Sequence, residues 1–176
     1  MDITWRNSDT SGRRFNFESA NLLVGELTLF GPFLSNAHYY TSQGGIRLNK
    51  NGGTWTNRIL LEKDGRTIGT IIFRLYKSPT LILKNGKQFF LSANLLGRNL
   101  KWHNAQGETV VSYADPTLES KGKGTITTSD SLPQEEVQVL ISTGLVARTY
   151  LSHKLSITAF FVGFSFLTAA KLLTSF

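Results

Sequence analysis

The sequence predicts a mainly β protein with helices at its C-terminal end. Three observations carry that reading. Four glycines, Gly44, Gly65, Gly86 and Gly107, recur at intervals of 21 residues. Three of them stand in turn contexts, Asp64-Gly65, Asn85-Gly86 and Gln106-Gly107. Apolar, β-branched and aromatic runs such as Thr67 to Leu75 and Leu81 to Leu83 fill the intervals. Asp-Gly and Asn-Gly favour the positive φ angles of tight hairpins. Two strands plus two connections need about 20 residues. The interval is therefore one up-and-down hairpin laid down repeatedly, an antiparallel meander.

The elements follow in order. Ile3–Arg6 and Phe15–Ser19 are short strands across the polar loop Asn7 to Arg13. Asn21–Phe30 is a third, ended by Gly31-Pro32. Ala37–Ser42 and Ile46–Leu48 bracket the turn Gln43-Gly44-Gly45. Trp55–Glu62, Thr67–Tyr76, Thr80–Leu83, Gln88–Ser92, Leu100–His103, Thr109–Tyr113 and Gly124–Thr128 continue the series. Ile59-Leu60-Leu61 and Ile71-Ile72-Phe73 are apolar at consecutive positions. A sheet with one wet face alternates, so these strands are covered on both sides in places or carry register-shifting bulges.

After the last strand the pattern becomes helical. Pro133 opens a turn followed by Glu135 and Glu136, carboxylates favoured at a helix N-terminus. Val137, Leu140, Ile141, Leu145 and Val146 then recur at helical spacing. A helix is predicted from about Pro133 to Leu151. Leu155 to Phe176 is apolar nearly all round, with Lys171 its only charge. A helix of that length spans about 33 Å, close to a bilayer's hydrocarbon thickness. Arg148, His153 and Lys154 flank one end as a cytoplasmic boundary does. The segment reads as a membrane tail anchor or as a helix buried in the protein.

A chain of 176 residues is most simply one domain with a sizeable core. There is no cysteine, which excludes disulfides, thiolate metal sites and cysteine nucleophiles. The N-terminus has no apolar run of a secretory signal, so the cytoplasmic side is the expected address. The net charge of +7 is unevenly placed. From Ile46 to Lys101 eleven Lys and Arg residues face only Glu62 and Asp64. Such an excess is either a soluble sheet surface or an anion-facing one, for lipid headgroups or nucleic acid.

Two runs carry a family resemblance. They are Leu61-Glu62-Lys63-Asp64-Gly65-Arg66-Thr67-Ile68-Gly69-Thr70-Ile71 and Leu100-Lys101-Trp102-His103-Asn104-Ala105-Gln106-Gly107-Glu108-Thr109-Val110. Both resemble the repeated strand pairs of the tubby-like superfamily, which includes tubby domains, LURP-one-related proteins and phospholipid scramblases. The resemblance covers roughly Gly44 to Leu151. It implies that the meander closes into a barrel threaded by a hydrophobic helix. Pro133–Leu151 is then the natural plug, with Glu135 and Glu136 at the barrel mouth, and Leu155–Phe176 is left for a membrane. The reverse assignment places the last helix inside. The chain is short for a full twelve-strand barrel, and it lacks scramblase-type cysteines and an acidic calcium loop. No tubby phosphoinositide motif aligns, so no site is carried over.

No catalytic, cofactor or metal site is predicted. His38, His103 and His153 are scattered, with no i, i+4 pair around a glutamate. Lys121-Gly122-Lys123-Gly124-Thr125 lacks the earlier glycine of a phosphate loop, since position 117 is Thr117. There is no Gly-x-Ser-x-Gly, and Asp115 before Pro116 reads as a turn former. The basic residues are the candidates. Turns one hairpin apart lie at the same end of a sheet, so Lys63, Arg66, Lys84 and Lys87 are expected to form one cationic rim. The expected function is a non-enzymatic, membrane-associated barrel module that contacts anionic phospholipid or a partner protein. A barrel carrying lipid or another small ligand needs an empty interior. A nucleic-acid binder, with Phe89-Phe90 and the basic strands, is third.

Overall fold

Alternation builds the wall. In β1 (Asp2–Asn7), β2 (Arg14–Ser19) and β3 (Leu22–Phe30), Ile3, Trp5, Phe15, Phe17, Leu27 and Leu29 point inward while their neighbours face solvent. The same period runs through β4 (Asn36–Thr41), β5 (Gly44–Lys50), β6 (Arg58–Lys63) and β7 (Arg66–Arg74). It continues in β8 (Lys77–Leu83), β9 (Gln88–Ala93), β10 (Leu100–His103), β11 (Thr109–Ala114) and β12 (Lys123–Thr128), broken where Thr80 and Leu81 of β8 and Val110 and Val111 of β11 are buried in succession. The computed structural model describes residues 1–20, 22–31, 36–50, 58–74, 77–93, 99–114 and 122–151. Asn21 and residues 55–57 and 75–76, at the edges of predicted strands, lie outside these, as do Arg98, His153, Lys154 and the predicted anchor 155–176.

Each strand pairs antiparallel with its sequence neighbours, and β1 pairs β12 to close a twelve-strand barrel. Closure runs through Ile3↔Ile126 and Trp5↔Gly124. The length expectation is corrected: the chain is long enough, because strands of four to nine residues suffice and several turns are minimal. Asp64 (φ 51°) and Gly65 (φ 71°) make a two-residue turn with both central residues left-handed. Asn85 does not follow that pattern. The Gly86 N–H donates to the Leu83 carbonyl at 3.0 Å, and Asn85 Oδ1 accepts the Lys87 N–H at 3.0 Å. Only Gly86 takes a positive φ there, 84°, as in a type I turn with a bulge glycine.

The interior holds a helix, α1, residues 134–151. Residues 139–147 are all buried. Two and a half helical turns with no wet face require walls on every side. Phe73 of β7 lies 4.3 Å from Tyr150 between ring centroids, and Arg148 sits 5.5 Å over the Trp5 ring of β1. β1 and β7 stand opposite one another in the ring order, so α1 meets both sides. A helix with its side chains is about 10–12 Å across, which twelve strands enclose where eight leave room only for side chains. Its buried hydroxyls are satisfied locally: Ser142 and Thr143 donate to the Val139 carbonyl at 2.9 and 2.8 Å.

The consecutive apolar runs divide between the two faces. Ile59, Leu61, Ile71 and Phe73 enter the core, whereas Leu60 and Ile72 face outward and are only partly covered. A bulge between Leu61 and Glu62 shifts the β6–β7 register nearby. Among the described residues no helix is long and apolar enough to cross a membrane.

Candidate functional site

Turns alternate between the ends of a meander. The loops 64–65, 84–87 and 104–108 therefore share the end at which α1 enters. Lys63, Arg66, Lys84 and Lys87 all lie there, but they serve two sites, with Lys84 bordering both.

Lys63 and Lys87 close over the mouth. Lys63 Nζ meets Glu135 Oε1 at 3.2 Å, and Lys87 Nζ meets Glu136 Oε1 at 2.6 Å. The Lys63 side chain keeps only 25% of its exposure, so it is not the freely solvated rim cation that turn position alone suggests. Both pairs tie hairpin turns to the first turn of α1, where the carboxylates also favour the positive end of the helix dipole.

Arg66 and Lys84 border a different feature. With Arg58 they line a groove of about 660 Å³, together with Thr67, Gly69, Thr70, Ile72, Ile82 and Leu83. Its largely apolar floor follows from register: Leu60↔Thr70↔Ile82 is one cross-strand row and Arg58↔Ile72↔Thr80 the next. These are the outward positions of β6, β7 and β8. No carboxylate lines the groove. Among the described residues none of its three cations is in an ion pair. Arg58 is the member that turn-based reasoning missed. The outward Leu60, Ile72 and Ile82 were visible in the sequence as the odd members of consecutive apolar runs.

The row continues outward to Phe90, opposite Thr80 and 36% exposed. Its neighbour Phe89 is in the core at 3%. The Phe89-Phe90 pair is therefore not a two-ring stacking platform, because successive strand residues take opposite faces.

The histidines are placed separately. His103 Nε2 lies 2.7 Å from Ser92 Oγ, and Nδ1 lies 3.3 Å from Thr109 Oγ1. A hydroxyl, not a carboxylate, thus occupies the orienting position. His38 stacks edge-on against Phe30 at 4.8 Å and contacts the Tyr40 hydroxyl through Nδ1 at 3.2 Å. Burial, then the Arg47 charge opposite, holds it below the ordinary histidine range. Among the described residues no group of three or more His, Cys, Asp or Glu side chains is placed to hold a metal ion.

No protein-family model, no curated protein and no solved structure matches this chain.

Proposed function

We propose that the protein is a non-enzymatic barrel module that contacts an anionic phospholipid surface, with residues 155–176 as its membrane anchor. The observation that carries this reading is the wall groove. Arg58, Arg66 and Lys84 surround Ile72 and Ile82, and no carboxylate lines it. Cations around an apolar floor suit a phosphate headgroup above acyl carbon. Each cation near an anionic surface contributes about 1 kcal/mol. The carrier alternative is less well supported, since α1 and inward side chains such as Trp102 and Phe17 occupy the interior.

Sedimentation with phosphatidylserine-containing vesicles tests the reading. Arg58→Gln, Arg66→Gln and Lys84→Gln together are expected to weaken binding at least about tenfold. Lys63→Gln with Lys87→Gln should weaken it less, because those charges are already paired. Wild-type binding should fall with added salt. Binding that ignores the triple change and the salt sinks the lipid reading and leaves a protein partner for this face.

A further inference from the structure

A second site stands at the mouth and shares only Lys84 and Leu83 with the wall groove. Two cavities flank the first turn of α1. One, of about 330 Å³, is lined by Lys63, Lys84, Asn85, Glu135 and Glu136 among others. The other, of about 590 Å³, takes in Lys87, Asn104, Gln106, Ser131 and Glu136. Glu136 is common to both, and it is 8% exposed.

Its two oxygens are used unequally. Oε1 accepts from Lys87 Nζ at 2.6 Å. Oε2 is buried and has no hydrogen-bond partner among the described residues. A buried carboxylate oxygen left unpaired is costly, and the deficit is specific: it needs a donor. The surrounding charge adds a second requirement. Lys63, Lys84 and Lys87 outnumber Glu135 and Glu136 by one. A bare cation entering for Oε2 would meet that excess. A ligand carrying an anion beside its N–H donors would not. Lys84 lines the smaller cavity with Glu136 and is in no ion pair among the described residues.

We propose that the mouth binds an amino-phosphate: a primary ammonium donating to Glu136 Oε2 and a phosphate held by Lys84, with Lys63 beside it. Phosphoethanolamine carries both groups on one short chain. Its phosphate's charge exceeds its ammonium's near neutral pH, which complements the excess of one. The free compound carries that surplus; in the headgroup of phosphatidylethanolamine the phosphate is a diester whose single negative charge only balances the ammonium, so there the pairing of ammonium with Glu136 and phosphate with Lys84 alone would carry binding. Phosphocholine is the matched control, since its quaternary nitrogen has no N–H to give Oε2.

The full chain would be titrated calorimetrically with O-phosphoethanolamine and with phosphocholine. Phosphoethanolamine is expected to bind at least about tenfold tighter. Glu136→Gln should abolish that preference, and Lys84→Gln should weaken phosphoethanolamine about tenfold, with circular dichroism confirming both folds. Should Glu136→Gln fail to fold, the Lys84→Gln result decides. Binding to phosphatidylethanolamine vesicles over phosphatidylcholine assigns the lipid source; binding of the free compound alone assigns a soluble one. Equal affinity for the two compounds, no binding of free or lipid form, a preference that survives in Glu136→Gln, or an affinity unchanged in Lys84→Gln overturns the proposal. Lys84 borders both sites, so the variants that tell them apart are Glu136→Gln, which should alter the amino-phosphate preference and not the binding of phosphatidylserine vesicles, and Arg58→Gln with Arg66→Gln, which should do the reverse.

Discussion

The ring of Tyr113 lies directly against the backbone of Gly144. A Cβ added at Gly144 would stand 2.3 Å from the Tyr113 ring and hydroxyl. The hydroxyl donates to the Leu140 carbonyl at 2.6 Å and contacts that of Ile141 at 3.0 Å. This phenol, held far above its ordinary pKa by burial, stays neutral and pins α1 to β11. Gly144→Ala is predicted to cost at least about 2 kcal/mol by overpacking. Tyr113→Leu should recover part of that loss, because the cavity it opens accepts the methyl. A double-mutant cycle measured by denaturant unfolding checks it; additive effects would show that the two residues do not share a contact.

Leu140 and Ile141 are buried on α1 with barrel side chains around them. Aspartate at either position puts a charge, or a neutralised acid, in a dry interior. Neither variant should fold. A native-like circular dichroism spectrum with a cooperative melt in either would contradict the placement of α1.

Gly65 and Gly86 have φ of 71° and 84°, and a Cβ at either position would have nothing within 4 Å of it. Valine there costs backbone strain and no clash, about 1–2 kcal/mol each, against at most about 0.5 for an ordinary surface change. A melting temperature lower by several degrees is expected for each. Gly65→Asn should cost less, since asparagine tolerates this conformation.

His38 gives the pH dependence a direction. Its folded pKa is lowered, first by burial and then by Arg47. Between the folded value and the unfolded one of about 6.5, the unfolded chain binds more protons. The contribution is therefore complete above about 6.5 and is lost as pH falls toward the folded value. The wild type should lose more stability than His38→Gln between pH 7 and pH 5. An NMR titration that places His38 at or above the unfolded value would reverse the sign.

The legible and illegible parts of this fold divide by range. The strands are local features. Period-two alternation and a glycine at each of 44, 65, 86 and 107 place them within a few residues of where they lie. Closure is not local: Ile3↔Ile126 joins chain ends that no nearby residue relates. The division of the cations is equally long-range. Lys63 and Arg66 face each other across one turn, yet Lys63 is drawn to Glu135 on α1 while Arg66 borders the wall groove. Arg58 joins Arg66 and Lys84 only through strand pairing. The unpaired oxygen of Glu136 follows from burial beneath two hairpin turns, which a helix-start motif does not reveal.

With α1 completing the barrel's core, the apolar segment 155–176 is free to be the proposed membrane anchor. Ending the chain after Lys154 tests it most directly. A soluble barrel with a cooperative melt is expected, absent from the membrane fraction in which the full chain is expected. An aggregated or unfolded product would contradict it, because Phe160, Phe161, Phe164 and Phe166 would then belong to the core; a folded product still bound to membranes would contradict the anchor.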